Sequence, residues 1–469
     1  MSTALCPVAP ATKVYKTDWL GSRPVFYHER TGRVSHNVND VIDLLNVELD
    51  AAGLRLFLRF GYSVFGRTPV RHVRFLPPCS RLTVQREGRL SIDALPDPVE
   101  AWLGRTTREV DVLAALQAAV QDWERRVDGD LIVPTSGGFD SRLLNLLVRD
   151  RRRIRAFTYG LSSRQEQCRE VVHARALAQR LGTRWQQIRL GQFHRYLDEW
   201  DTLFGVSTHA HGMYHLEFYH RVAEFRPGPA PLLTGIIGDA WAGNVNVPEI
   251  ASPADLITLG HTHGAHADET ICLLRGGDEP AEAYYDQHRT GLRDPRIRIV
   301  EAMRLKLILL TYLLRVPEHV GYQPWSPFLE PDLALAMLTL PPERRADRRW
   351  QRDFFARHGV DLEAANLPAD RRNTLNQQAL RRVPLPPLDD RLLREIVWPE
   401  YVRWINSTVG QYGVLWNGFW ELVRHRRWGR PLRRRRVRDR RFDAYFAYLT
   451  LRPLETLLRQ RDDARRGAT

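Results

Sequence analysis

The apolar run Leu131-Ile132-Val133-Pro134-Thr135 stops at Ser136-Gly137-Gly138-Phe139-Asp140-Ser141-Arg142, and an apolar helical pattern, Leu143-Leu144-Asn145-Leu146-Leu147-Val148, begins at once. A buried strand turning into a helix through two glycines constrains both fold and chemistry. The glycines let the backbone approach a bound group, successive amides form a concavity for anions, and the helix N-terminus adds positive potential. Ser136 and Ser141 offer hydroxyls to phosphate oxygens. Asp140 repels phosphate unless Mg2+ lies between them, so the turn predicts a metal–polyphosphate complex. No lysine follows the loop, which excludes a G-x-x-x-x-G-K-[ST] phosphate loop.

The surrounding texture predicts an α/β domain. Val110–Val127 carries Leu113, Leu116, Val120 and Trp123 on one helical face. Arg153–Gly160 reads as a second strand, followed by a helix ending at Leu181-Gly182, and Pro231–Asp239 as a third strand. This alternation implies a parallel sheet with crossover helices. Residues 1–105 read instead as short strands and a helix. Arg23–Glu29, Thr31-Gly32 and Gly32–Val38 form a hairpin pattern, and Pro96–Thr107 is turn-rich enough to end a domain. Beyond about residue 250 the chain reads as helical. Single cores stop growing at roughly 250–300 residues, so 469 residues imply two or three domains. No run of about 18 apolar residues occurs and the start has no apolar signal core, so neither a membrane span nor a secretory signal is expected. Cys6, Cys79, Cys168 and Cys272 show no paired or zinc spacing, which points to a reduced, cytoplasmic chain.

The turn Ser136–Ser141 resembles the PP-loop of the ATP pyrophosphatases, and its surroundings are similar to the asparagine synthetase branch, which includes β-lactam synthetases and lasso-peptide cyclases. After Phe157-Thr158-Tyr159-Gly160, the run from Glu170 through Ala174, Ala178 and Leu181-Gly182 matches the branch's second block in spacing. Gly235–Gly243 resembles its strand-end G-x-G-x-D-E-x-x-G-G element, Pro327-Phe328-Leu329-Glu330 its PFLD box, and Leu367-Pro368 its LP element. The four blocks stand in order over about 108–375. Three departures are plain: Ala240 replaces the acidic residue after Asp239, Arg169 replaces an aspartate, and no lysine follows Leu367-Pro368.

The N-terminal part resembles only half of a glutaminase domain, through Asp18, Gly21, Arg23-Pro24, Tyr27, Thr68 and Leu76-Pro77-Pro78. Such a domain needs a cysteine exposed once Met1 is removed. Here Ser2 stands there and Cys6 lies too far in, so residues 1–105 are expected to be an inactive lid.

The resemblance therefore implies a parallel-sheet PP-loop synthetase domain at 106–385, of the adenine nucleotide α-hydrolase kind. A truncated α+β glutaminase remnant (1–105) would precede it, and a helical Arg- and Trp-rich extension (386–469) would follow. It implies ATP and Mg2+, a carboxylate adenylated with release of pyrophosphate, and an amine or ammonia that takes the acyl group. A bacterial specialised biosynthetic pathway, such as that of an antibiotic, is the expected setting, with a partner protein as one source of substrate or ammonia. Val133, Ser136, Gly137, Gly138, Phe139, Asp140, Ser141, Tyr159, Gly160 and Gly235 are expected at ATP and pyrophosphate. Asp140 and Asp239 are expected at the metal. Arg372 is the expected substitute for the family lysine, with Arg371, Arg348 and Arg352 as alternatives. His209, His211, Tyr322 and Trp325 are expected at the substrate pocket. A PP-loop enzyme acting on tRNA and a nucleotide-binding scaffold are the alternative readings.

Charge adds little to this. The formal net charge is +14, but lysine occurs three times, so 66 of the 69 basic residues are arginine, a compositional habit more than a designed surface. Eleven of the eighteen residues in Arg424–Arg441 are arginine; with Trp398, Trp404, Trp416, Trp420 and Trp428 nearby, the segment reads as a solvated helical face over a core stripe, not as a nucleic-acid site. His209, His211 and His215, and the run His261, His263, His266 with Asp268, read as loop histidines rather than zinc ligands.

Overall fold

A computed structural model describes residues 13–85, 88–260, 266–410 and 440–468. The N-terminal part builds two small antiparallel sheets. β1 (Lys13–Lys16), β5 (Ser80–Val84) and β6 (Leu90–Ala94) form one in the order β1-β5-β6. β2 (Phe26–His28), β3 (Val34–Ser35) and β4 (Val73–Phe75) form the other, and the hairpin expected around Thr31-Gly32 is the β2–β3 pair, with Tyr27 opposite Val34. Between them lies α1 (Ala51–Phe60). Asp50 caps it by accepting from the Gly53 amide at 2.8 Å, and Gly61 closes it in the left-handed conformation.

A five-stranded parallel sheet forms the centre. α2 (Glu109–Arg126) leads in and buries Leu116, Val120 and Trp123, as its periodicity requires. Then follow β7 (Leu131–Pro134), α3 (Phe139–Leu147), β8 (Ile154–Tyr159), α4 (Arg169–Leu181), β9 (Arg184–Ile188), α5 (Tyr214–Phe225), β10 (Ala230–Leu233) and α6 (Gly238–Ala242). The later helices include α7 (Pro280–His288), α8 (Pro295–Leu310) and α9 (Tyr312–His319). β11 (Tyr322–Trp325), α10 (Arg349–Arg357) and α11 (Arg440–Ala468) come after them. The strand order is β11-β10-β7-β8-β9, every pair parallel, with Leu131 opposite Ile154 and Leu232 opposite Ile132. The chain thus runs outward from β7 to β8 and β9, then crosses back to the other side of β7. That reversal makes a crevice at the carboxyl ends of β7 and β10.

One contiguous apolar core joins the β2-β3-β4 sheet, the parallel sheet and α11, while Leu82 of β5 packs with Val25 and Leu76 in a separate small cluster. Trp19 docks the N-terminal part by donating to the Leu329 carbonyl at 2.8 Å and packing on Trp241 at 5.5 Å. Among the described residues, no helix is long and apolar enough to cross a membrane. Residues 411–439 lie outside the described residues, so most of the arginine cluster and Trp416, Trp420 and Trp428 are not placed; His261 and His263 share that status. Of the remaining tryptophans, Trp404 packs on Tyr401 and Trp398 is exposed.

α11 is anchored by buried charge. Arg452 donates to Asp201 at 3.2 Å and to Glu455 at 3.1 Å, and the Tyr445 hydroxyl lies 3.0 Å from His194 Nε2. Burial lifts Asp201 to about 6 against the pull of Thr456 and Arg452. Replacing Arg452 by Met strips the cation from the buried Asp201, while Glu455 keeps Arg459 at 2.9 Å. It should cost about 3–5 kcal/mol in urea unfolding, where a surface ion pair would cost less than about 1.

Candidate functional site

The crevice at the topological switch holds a cavity of about 420 Å3, walled by the ends of β7, β8 and β10, the start of α3, and α5. Ser136, Gly138, Phe139, Asp140, Ser141, Tyr159, Gly235 and Asp239 all line it. Eight of the residues singled out from sequence therefore meet at one place, although they come from three separate strand ends.

The loop after β7 is held open by its neighbours. Gly137 has φ +67°, and a Cβ there would lie 2.4 Å from His173 Cβ and 2.8 Å from the Ala174 amide, so α4 packs directly on it. Its carbonyl is turned inward by Arg142, whose Nη2 donates to it at 2.7 Å. Arg142 is fully buried and makes a two-pronged contact with Glu363, at 2.7 and 3.0 Å. With the carbonyl fixed inward, the loop presents its other edge to the cavity. No side chain caps α3, so its first amides face the cavity with the positive end of the helix.

Two carboxylates share the floor. Gly235 and Gly238 clear room for Asp140: a Cβ would stand 3.0 Å from Asp140 Cβ at the first and 2.9 Å from Asp140 Cγ at the second. Ile237 between them has φ +54°, a strained conformation for a β-branched residue. Phe328 packs against Gly238 and its carbonyl accepts from Trp241 Nε1 at 2.9 Å, so Pro327–Glu330 is a clamp on the turn that carries Asp239. Asp140 Oδ1 is enclosed and has no hydrogen-bond partner among the described residues. Its carboxyl is pushed up to about 7, by burial first and by the charge of Asp239 second, while Arg348 opposes both. An enclosed, unpartnered carboxylate oxygen beside a second carboxylate fits a cation. Among the described residues no cluster of three or more candidate metal ligands occurs, so phosphate oxygens would have to complete the shell.

The cation at this floor is Arg348, not Arg372. Arg372 is half exposed, does not line the cavity, and is engaged by Asp370 at 2.9 and 3.0 Å. The backbone of Asp370 in turn accepts from the Arg169 amide, which ties that stretch to α4. Arg348 lines the cavity, and its guanidinium sits 4.0 Å from the centroid of the Phe139 ring. Asp347 and Arg348 both have left-handed φ, +51° and +54°, which turns the chain into α10 and aims this side chain at the loop. Burial lowers the Arg348 pKa, with Asp140 and Asp239 opposing. Lys306, one of the three lysines, is half-buried on α8; burial lowers its pKa and Asp239 raises it.

The far wall is aromatic. Tyr159, His215, Phe218 and Tyr219 line it, and the hydroxyls of Tyr159, Tyr214 and Tyr312 are hydrogen-bonded in series. His215 is pushed down to about 3 by burial, so it is neutral here. The other expected pocket residues stand elsewhere. His209 is buried, its Nδ1 accepting from the His211 amide at 3.0 Å, and His211 packs on Phe446 of α11. Tyr322 begins β11 at the opposite end of the sheet, its hydroxyl donating to the Arg226 carbonyl. Trp325 stacks on Trp123 at 5.3 Å, outside the cavity. Val133 is strand core, and Gly160 gives room to the Gln165 backbone, where a Cβ would stand 2.4 Å from its carbonyl oxygen. His215 and Tyr219 lie one turn apart on α5, a spacing visible in the sequence but without a motif to mark it.

The chain matches no protein-family model and no curated protein.

Two outcomes follow from this geometry. Removing the cation from the lock, as Arg142→Met, leaves Glu363 without its main partner and should destabilise the fold by about 3–5 kcal/mol in denaturant unfolding. Asp140 behaves oppositely. Its folded pKa of about 7 exceeds the unfolded value of 3.8, so the folded state binds the proton more tightly and loses stability as pH rises from about 4 to 7. Asp140→Asn removes that cost. It should raise stability at pH 8 by roughly 2–4 kcal/mol and change nothing below about pH 4, as followed by thermal unfolding across pH.

Proposed function

We propose that this chain is an ATP-dependent, AMP-forming C–N ligase of the asparagine synthetase-like kind. The single observation that carries the reading is the enclosed, partnerless Asp140 Oδ1 facing Asp239 beneath the uncapped start of α3. A cation at two carboxylates and an anion at a helix N-terminus together suit a nucleotide triphosphate. The order of the sequence blocks, with Glu170, Gly235–Asp239 and Phe328 all gathered round the cavity, supports the same class.

In this reading Ser136, Ser141 and the amides of Gly138 and Phe139 hold the β- and γ-phosphates, and Asp140 with Asp239 holds Mg2+, which neutralises phosphate charge. A substrate carboxylate oxygen attacks the α-phosphorus while the bond to pyrophosphate breaks. Arg348, fixed over Phe139, faces the charge that develops on the leaving pyrophosphate. An amine then attacks the acyl carbon, the bond to AMP breaks, and the amine's proton leaves with solvent or AMP. The aromatic wall of Tyr159, Phe218 and Tyr219 keeps water from the acyl-adenylate. With residues 1–105 read as an inactive remnant, the amine in this proposal comes from the substrate, from free ammonia or from a partner protein.

The test is ATP–pyrophosphate exchange and AMP release across a panel of carboxylic acids with and without amines. Asp140→Asn should abolish both while the protein stays folded; unchanged turnover would defeat the reading. Arg348→Ala should lower kcat by about 10²–10³ with a smaller effect on the KM for ATP. Because the Asp140 proton must leave before a cation binds, Mg–ATP affinity should fall about ten-fold per pH unit below pH 7, measured by calorimetry.

A further inference from the structure

A second and larger cleft, of about 720 Å3, lies between the N-terminal sheets and the helices α7 and α8. Its size falls within the range of small-molecule sites, roughly 300–1,000 Å3. The walls are apolar: Phe65 and Phe75 on one side, Ile92 and Ala94 from β6, and Tyr284 and Leu305 from the helices. The floor is charged and fixed. Glu301 is buried and accepts from Arg304 Nη1 at 2.9 Å and from the Tyr284 hydroxyl. Arg304 also donates to Asp97 at 2.7 Å and, through Nε, to the Trp19 carbonyl at 3.0 Å. Two carboxylates thus share one guanidinium, and His288, stacked on Tyr284, lies 3.9 Å from Glu301, so the floor carries one negative charge in excess whenever that imidazole is neutral. The rim ion pair of Arg67 with Asp278 is balanced and adds no net charge.

β6 forms the cleft's open side. It is the edge of its sheet, and among the described residues no strand pairs with its outer edge. Ile92 there is 45% exposed. An apolar body set against Ile92, Phe65 and Tyr284 would therefore bring a cationic end group to the Glu301–Asp97 floor.

We propose that this cleft binds a primary ammonium or guanidinium group carried on an apolar body. The charge arithmetic rejects carboxylates, and the aromatic walls reject small hydrated ions. The same chemistry is offered by a free arylalkylamine or by a basic side chain of a peptide laid along β6. The site is separate from the nucleotide cavity and does not rest on the ligase reading.

Calorimetry on the full chain, without nucleotide, tests it with three probes: phenethylamine, 2-phenylethanol and 3-phenylpropionate. Phenethylamine should bind at least about ten-fold more tightly than the alcohol, and the acid should not bind. Glu301→Gln should erase the preference for the amine. Because Glu301 is buried and that variant risks misfolding, Ala94→Trp and Ala283→Trp, both at exposed positions on opposite walls, provide the second arm and should abolish binding by filling the cleft. Equal affinity for amine and alcohol, no binding of phenethylamine at millimolar concentration, or unchanged binding in both tryptophan variants would overturn the proposal. Tighter binding of acetyl-Phe-Lys-amide than of phenethylamine assigns the ligand to a polypeptide, and the reverse order to a free amine; both uphold the cationic recognition.

Discussion

The enclosed carboxylate of Asp140 is the constraint on which the crevice depends. Enclosing a carboxyl group with one oxygen left unpartnered is expensive, and burial together with the charge of Asp239 pushes its pKa up to about 7 even though Arg348, the Asp239 backbone and Gln351 pull it down. The surrounding fold accepts this because everything next to Asp140 has been made small or rigid. Gly235 and Gly238 lack the carbons that would strike it, Ile237 is held in a strained turn to carry Asp239 past it, and Phe328 closes the turn from behind. None of these features improves packing as such. Together they hold an oxygen without a hydrogen-bond partner in a fixed position, at a cost in stability.

The loop after β7 meets a related demand by a different route. Its amides must point into the crevice, so its carbonyls must go elsewhere, and an inward-facing carbonyl needs a donor. Arg142 provides it. The guanidinium reaches both the Gly137 carbonyl and Glu363, and it lies over the rings of Phe139 and Phe355. Phe139 is then surrounded by Arg142, Arg348 and Arg352, all within about 5 Å of its ring. Phe139, set between Gly138 and Asp140, is thus the platform over which these three guanidinium groups gather.

Much of this frame was legible in the sequence because it is local. Strands β7 and β8, helix α2 and the β2–β3 hairpin follow from periodicity and turn chemistry within a few residues. Each strand-end motif carries its own glycines, so Ser136–Ser141 and Gly235–Asp239 marked themselves. What sequence could not supply was long-range pairing. Arg372 follows Leu367-Pro368 as expected, yet Asp370, two residues away, captures it; Arg348 lines the cavity instead because consecutive left-handed residues turn the chain there, and no residue type announces such a turn at Asp347-Arg348. Tyr322 and Trp325 precede the Pro327-Phe328 box in sequence, but a strand of four residues spans enough length to put one at the wrong end of the sheet and the other against Trp123. The histidines failed for a simpler reason: His209 and His211 sit one turn too early, where the chain is committed to packing against α1 and α11, and only His215 reaches the crevice.

The arginine bias of the chain also shapes how such a centre responds to its surroundings. A guanidinium keeps its charge across the whole physiological range, whereas a buried ammonium can lose it. With Arg348 facing Asp140 and Asp239, the cationic side of the crevice is constant in charge, while burial and the neighbouring Asp239 push the Asp140 carboxyl up to about 7. Protonated, Asp140 leaves the crevice more positive; ionised, it sets a second negative charge beside Asp239 and opposite Arg348. That difference rests on one proton and requires no movement of the backbone.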